Sequence, residues 1–314
     1  MSGRATRDSR TAALVLLLAV LLLQSCSGRA PSDSVAKTPH EEALVVASFD
    51  FPESELLAEI YAQALEGAGI PVRRSFDLGP RELVLPALEQ DLVDVVPEYV
   101  GSALQALRPG TAVPAGTSEA VESLAGALRP WGLSVLRPAP ASDTNGLVVT
   151  AATARRLDLR TISDLRRVAP RLQVGGPPEC PGRHYCLIGL QERYGLRFAG
   201  FSAFSSEAQR RTALTDGVVD VAVMFTTDGL LVTDELVLLE DDRRLQPPEN
   251  VVPVVTQRAL DRYGNRIRPA LDQVSAALST SSLTFVNWRV EVAGKSVPVE
   301  ASAWLRRHVP ALAR

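Results

Sequence analysis

The chain is poor in the residues that build most catalytic centres. It has three histidines in 314 residues, at His40, His184 and His308, and none has an obvious nucleophile partner. The GxSxG, HExxH and phosphate-loop patterns are all absent, which removes the usual signatures of nucleophile-elbow hydrolases, zinc peptidases and P-loop enzymes. Charge of one sign is lacking as well. Thirty-three basic residues face 36 acidic ones, for a formal net charge of −3. A nucleic-acid-binding face calls for a basic excess, so no nucleic-acid partner is expected. After residue 25 no run is long and apolar enough to span a bilayer. Cysteine is scarce, with three in all, and these fall into two groups.

What is present begins at the N-terminus. Arg4, Arg7 and Arg10 precede an apolar run from Thr11 to Leu23, too short for a comfortable span, and Leu23-Gln24-Ser25-Cys26 follows at once. This stretch resembles a bacterial lipobox. The resemblance implies that residues 1–25 are a signal peptide and that Cys26 is lipidated, with the membrane reached by that anchor only. Residues 26–42, rich in Ser, Pro and Ala, read as a flexible tether. Export permits disulfides. The remaining cysteines, Cys180 and Cys186, flank the turn-forming insert Pro181-Gly-Arg-His-Tyr185, and they are expected to pair, contributing about 2 kcal/mol. A metal site with His184 would lack a fourth ligand, so neither metal nor cofactor is expected.

With 46% hydrophobic residues the chain can fill a large core, and its length suggests two domains. The spacing Ala87-Leu88-x-x-x-x-Val93-Asp94-Val95 recurs as Ala213-Leu214-x-x-x-x-Val219-Asp220-Val221, offset by 126 residues, and the same offset carries Tyr99 onto Phe225. Two similar α/β lobes follow, each presenting an aromatic ring at the carboxyl end of a strand. The matched Asp94 and Asp220 are read as structural. Leu44 to Ser48 reads as a strand, Pro52 suits a first helical turn, and Glu53 to Glu66 reads as an amphipathic helix. Phe49-Asp50-Phe51 then lies where open α/β sheets bind ligands. Leu92 to Val96 reads as a strand closed by Pro97. Helices are expected to start at caps Ser118 and Ser163, and Pro86 implies a kink or late start in the helix over 81–90. Alternating strands and helices predict parallel-rich mixed sheets flanked by helices. Two crossings, at 138–146 and 246–250, predict a hinged body: lobe 1 from residues 43–144 plus 249–314, and lobe 2 from residues 145–248. The tail should pack on lobe 1. Asp50, Tyr99, Asn145, Arg211 and Phe225 all fall at strand ends, helix faces or crossing loops around the cleft.

From about residue 43 to 310 the chain resembles the osmoprotectant-binding proteins of ABC importers, the glycine betaine/choline/carnitine group with the type II periplasmic-binding fold. The matching motifs are Ser48-Phe-Asp-Phe-Pro-Glu-Ser54, Leu78-Gly79, Val93-Asp-Val-Val-Pro-Glu-Tyr-Val-Gly101, Thr161-Ile-Ser-Asp-Leu165, Gly189-Leu-Gln-Glu-Arg-Tyr-Gly-Leu196, Thr226-Thr-Asp-Gly229 and Leu239-Glu-Asp-Asp242. The resemblance implies a non-enzymatic, monomeric, extracytoplasmic lipoprotein that closes on a small solute and delivers it to a permease and its ATPase. The alternative is a ligand-sensing lipoprotein with no transport role. The resemblance also implies a ligand set of Phe49, Asp50, Tyr99, Asn145, Arg211, Phe225 and Thr226.

That set departs from the family's cage of tyrosines. Tyr99 keeps one ring and Phe225 keeps a ring without its hydroxyl, whereas Asn145 and Arg211 stand where tyrosine is frequent and Phe49 where a polar residue is common. One ring is worth about 0.5 to 2 kcal/mol to a cation. Arg211 at about 5 Å from an ammonium would cost about 3 kcal/mol at an effective dielectric of about 20. Either Arg211 points away, or it meets the carboxylate of a betaine-like zwitterion, or the ligand is a non-cationic polar or aromatic compound.

Overall fold

The repeated motif folds the same way twice. In a computed structural model, which describes residues 43–313, helix α2 (Arg81–Glu89) turns into strand β3 (Val95–Tyr99), and helix α7 (Glu207–Thr215) turns into strand β8 (Val221–Phe225). At the first turn the Ala87 carbonyl accepts from the amides of Leu92 and Val93. At the second the Ala213 carbonyl accepts from Val218 and Val219. The left-handed residues of the two turns, Asp91 at φ 55° and Gly217 at φ 74°, are 126 apart as well. The signal segment, Cys26 and the tether lie outside the described residues.

Each turn feeds a five-stranded sheet, and the two sheets share one topology. The first runs β2 (Val72–Ser75), β1 (Leu44–Ala47), β3, β10 (Val251–Thr256) and β4 (Leu133–Val135). The second runs β7 (Gly200–Ala203), β6 (Gln173–Gly176), β8, β5 (Asn145–Thr150) and β9 (Leu236–Leu239). In each sheet four strands run the same way, and the remaining one, β10 or β5, runs against both of its neighbours. The β-branched runs that make β10 and β5 leave their central residues buried, as strands covered on both faces require. One face of the first sheet packs on α1 (Pro52–Gly67) and on α8 (Gln257–Ala277) and α10 (Val297–His308) of the tail. The other face packs on α2, α3 (Val100–Leu107) and α4 (Thr117–Leu128). Apolar helix faces sandwich the second sheet in the same manner, α7 on one side and α6 (Leu187–Tyr194) on the other. The result is two α/β layers joined twice, the two-lobed fold expected from the pattern. Among the described residues no helix is long and apolar enough to cross a membrane.

Local readings shift where a competing effect wins. The strand expected over Leu92 to Val96 begins at Val95 and continues through Pro97 to Tyr99. Leu92 is an exposed turn residue. Pro97 does not close the strand because its partner across the ladder is Pro253, so neither chain presents an N–H at that pair. Pro86 is accommodated inside α2. The helix expected from a Ser118 cap starts two residues earlier, at Thr117 after Gly116. Thr161, not Ser163, opens the turn over Ile162–Arg167, in a capping box with Asp164.

The chain leaves the first sheet between β4 and β5 and returns between β9 and β10. The two passing segments pair with each other. Ser142 bridges Asn250, the Asp143 amide donates to the Glu249 carbonyl at 3.1 Å, and the Val251 amide donates to the Ala141 carbonyl at 3.0 Å. Cys180 and Cys186 are disulfide-bonded, with Cα atoms 5.3 Å apart, at the entry to α6.

Candidate ligand cleft

Strands β1, β3 and β8 end toward the same space, and their carboxyl ends supply its rings. After β1 the Ser48 hydroxyl accepts from the Asp77 amide and donates to the Phe49 carbonyl, and the Phe49 amide donates to Ser54 Oγ. These bonds fix the Phe49-Asp50-Phe51 loop. The Phe49 ring is buried in lobe 1 and carries the Arg81 guanidinium 5.0 Å above it. Phe51 stacks on Phe49 at 5.9 Å and meets Tyr99, the last residue of β3, at 6.1 Å. Phe225, the last residue of β8, is 41% exposed, which is unusual for a ring ending a buried strand.

Phe51, Tyr99 and Phe225 line a chamber of about 360 Å³. Five acidic side chains join them in its wall. Glu53 comes from the first turn of α1, Asp143 from the passing segment and Glu207 from α7. Asp228 follows β8, and Glu291 comes from the π-helical stretch Trp288–Val292 after α9 (Thr280–Asn287). Among the described residues that line the chamber the one basic side chain is Arg81, which is already bidentate to Glu98 at 2.6 and 3.0 Å. Glu53 is the hub. Its Oε1 accepts from the Tyr99 hydroxyl at 2.6 Å and its Oε2 from Asn287 Nδ2 at 2.6 Å. Asn287 Nδ2 also donates to the Thr227 carbonyl at 2.9 Å, which ties the tail to the strand end carrying Phe225.

So many carboxylates in one place resist ionisation. Burial raises the Glu53 pKa despite hydrogen bonds from Thr227, Tyr99 and Asn287. Burial and then the Glu53 charge hold Asp143 well above the usual carboxylate range. Burial and then the Asp228 charge raise Glu207. Desolvation, followed by the charges of Asp228, Glu207 and Glu53, lifts Glu291 to about 7. Among the described residues no group of three or more His, Cys, Asp or Glu side chains is placed to hold a metal ion. The chamber offers ring faces to a cation, and carboxyl groups whose ionisation a bound cation would favour.

A second chamber, of about 500 Å³, adjoins the first and shares Ser102, Asp143, Glu207 and Phe225 with it. The disulfide loop forms one wall through Cys180, Arg183, Tyr185 and Cys186, and Asn145, Arg210 and Glu249 also face it. Glu249 Oε2 accepts from the Ser102 amide at 2.9 Å and Oε1 from its hydroxyl at 3.0 Å. Burial nevertheless raises the Glu249 carboxyl to about 7.

Of the seven residues named from the sequence, Tyr99 and Phe225 line the first chamber, and Asn145 lines the second together with Phe225. Phe49 lies beneath Phe51 and lines neither chamber. Asp50 is exposed in the loop and also lines neither. Thr226 ties the passing segment, its hydroxyl accepting from the Thr144 amide at 2.9 Å. Arg211 is half-buried on α7 and faces neither chamber, although its charge lowers the pKa of Glu207 and Glu291. Sequence reasoning missed Phe51, Glu53, Asp143, Glu207, Arg210, Asp228, Asn287 and Glu291. Phe51 and Glu53 stand inside the quoted Ser48 to Ser54 motif, and Asp228 inside Thr226 to Gly229, so those motifs already held a signal. Asn287 and Glu291 arrive from the tail and carried none.

Comparison with known proteins places this cleft in context. The substrate binding domain of ABC-type glycine betaine transport systems matches residues 42–307. The glycine-betaine-binding protein of Pseudomonas aeruginosa is 29% identical over 279 residues, covering 85% of this chain and 88% of that protein. A crystal structure of a glycine betaine/carnitine/choline ABC transporter is similar with a TM-score of 0.78 at 21% identity, over 86% of this chain and 99% of that one. Apo YehZ from Escherichia coli is similar with a TM-score of 0.74 at 24% identity, over 84% and 98%. At those identities the two structures speak for the fold, and the family match speaks for the rest. The chain belongs to the substrate-binding domains of ABC-type glycine betaine transport systems.

Proposed function

We propose that this protein is an extracytoplasmic lipoprotein, anchored through Cys26, that captures a small solute bearing a positive charge between its lobes and delivers it to an ABC permease and its ATPase. The observation that carries the ligand class is the pairing of three rings, Phe51, Tyr99 and Phe225, with five carboxylates in one chamber. Each ring contributes about 0.5 to 2 kcal/mol to a bound cation. A carboxylate about 5 Å away contributes about 3 kcal/mol at an effective dielectric of about 20. Several such groups outweigh the repulsion expected from Arg211, whose side chain does not face the chamber. A purely neutral polyol or aromatic compound would gain nothing from the ionisation of these carboxyls. Glycine betaine, the ligand in the name of the Pseudomonas relative, fits the class. The paired passing segments offer the hinge on which the lobes close.

Thermal unfolding with a ligand panel tests this. Choline, carnitine or glycine betaine at 100 times its Kd stabilises by about 2.7 kcal/mol through mass action, and neutral polyols do not. Unchanged melting temperatures across all the cations overturn the reading. For the anchor, Cys26→Ala is expected to abolish incorporation of labelled fatty acid into the expressed protein. Labelling that persists in the variant contradicts lipidation at Cys26.

A further inference from the structure

A further cavity lies away from the cleft, between helices α9 and α10 of the tail. It holds about 560 Å³ and shares no lining residue with either chamber. Val286 and Trp304 are buried in its wall, whereas the Phe285 ring is 46% exposed. Trp304 is the anomaly. It is 3% exposed, yet its indole Nε1 is buried without a hydrogen-bond partner. A buried tryptophan N–H ordinarily finds an acceptor. The polar groups nearby are already engaged. Glu300, one turn before Trp304 on α10, gives both carboxylate oxygens to Arg289, at 3.1 and 2.8 Å. Ser279 and Ser282, at the start of α9, use their hydroxyls to cap that helix.

The same cavity carries a spare positive charge. Arg289 is neutralised by Glu300, but Arg307 is exposed and forms no ion pair among the described residues. Arg307 stands three residues after Trp304, so the two share a face of α10. His308 stacks on Trp304 with ring centroids 4.9 Å apart. Partial burial and then the Arg307 charge lower the His308 pKa, which leaves Arg307 as the cation.

Apolar walls with a few convergent polar groups are the usual form of a small-molecule site. Here the unmet groups are two donors, an indole N–H and a guanidinium, set beside ring faces. Both call for a negatively charged acceptor on a flat, apolar body. We propose that this cavity is a second ligand site, for a small aromatic carboxylate. Its ring packs on Phe285 and the Trp304–His308 stack, and its carboxylate accepts from the Trp304 indole N–H and pairs with Arg307. The site stands apart from the cleft and does not depend on what the cleft binds.

The chain has three tryptophans, so a proton–nitrogen correlation spectrum shows three indole signals, and Trp304→Phe identifies the one concerned. Titration with 2-naphthoate is expected to move the Trp304 indole proton downfield, saturably. Trp131, which packs on the opposite face of the first sheet, should not respond. Uncharged 2-naphthamide should bind more weakly than the acid. Arg307→Gln should weaken naphthoate a few-fold, the worth of an exposed ion pair, and Ala303→Phe, which fills the cavity from α10, should abolish the shift. The comparison of acid with amide on native protein decides the matter even if Ala303→Phe fails to fold. The proposal is overturned if the Trp304 signal does not respond to millimolar naphthoate, or if acid and amide bind alike. It is overturned equally if saturating choline displaces the naphthoate, which would place that ligand in the cleft.

Discussion

The Tyr99 hydroxyl donates to Glu53 Oε1 at 2.6 Å, joining the aromatic and acidic halves of the first chamber in one contact. Tyr99→Phe keeps the ring and removes the donor that favours ionised Glu53. It should weaken cation binding a few-fold. Tyr99→Ala should lose a further 0.5 to 2 kcal/mol or about that, the worth of a ring to a cation. Titration calorimetry on both variants checks the order. A phenylalanine variant as tight as the native protein would detach Glu53 from binding.

Stability and affinity should respond to pH in opposite directions. Burial raises Glu249 to about 7, and Glu53 and Asp143 are raised as well. A carboxyl whose folded pKa exceeds its unfolded value binds its proton more tightly when folded. The stabilisation is therefore complete at pH below the ordinary carboxylate range and is lost as pH rises through about 7. The melting temperature of the ligand-free protein should fall between about pH 5.5 and about pH 8.5, and Glu249→Gln should flatten that fall. Cation affinity should rise over the same window as Glu291, at about 7, becomes ionised. Parallel trends in the two quantities would contradict this account of the cleft.

Gly229 packs directly against the tail. A Cβ built there would lie 2.5 Å from the Trp288 nitrogen and 2.6 Å from its Cα, with rigid backbone on that side. Gly229→Ala should cost about 1 to 3 kcal/mol by overpacking. It should also weaken ligand binding, because the displaced segment carries Asn287 and Glu291 into the first chamber. Gly126→Ala is the control. It lies inside α4 with open space around it, and should be neutral or stabilising by about 0.5 to 1 kcal/mol.

The repeat makes plain what could be read from the chain alone. Asp94 Oδ2 accepts from the Val45 amide at 2.9 Å, and Asp220 Oδ2 accepts from the Gln173 amide at 2.9 Å. Each thus ties its strand start to the strand beside it, the structural role expected from their matched positions. Such features were legible because they depend on local spacing. The rings of Tyr99 and Phe225 followed from the same logic. The acidic wall did not, because its members converge from α1, the passing segment, α7 and the tail, and no spacing links Glu53 to Asn287. That Arg210 and not Arg211 lines the second chamber depended on the rotation of α7, about 100° per residue, which the sequence pattern left open.

The two aspartates are not equivalent in energy. Asp94 is 3% exposed and also pairs with Arg258 Nη2 at 2.7 Å, whereas Asp220 is half-buried and accepts the amide hydrogen bond with no such pair among the described residues. Asp94→Ala should cost about 2 to 3 kcal/mol, and Asp220→Ala about 1 kcal/mol. Urea unfolding of both variants measures the difference, and equal losses would remove the distinction.

Comparing choline with 3,3-dimethylbutan-1-ol, which has the same shape with carbon in place of the charged nitrogen, is the most direct trial of a cleft built for positive charge. Calorimetry near pH 8 should show saturable one-to-one binding of choline and binding of the neutral alcohol weaker by a hundredfold or so, about 2.7 kcal/mol. Equal affinities, or an alcohol that binds better, would mean that the carboxylates around Phe51, Tyr99 and Phe225 do not select the ligand.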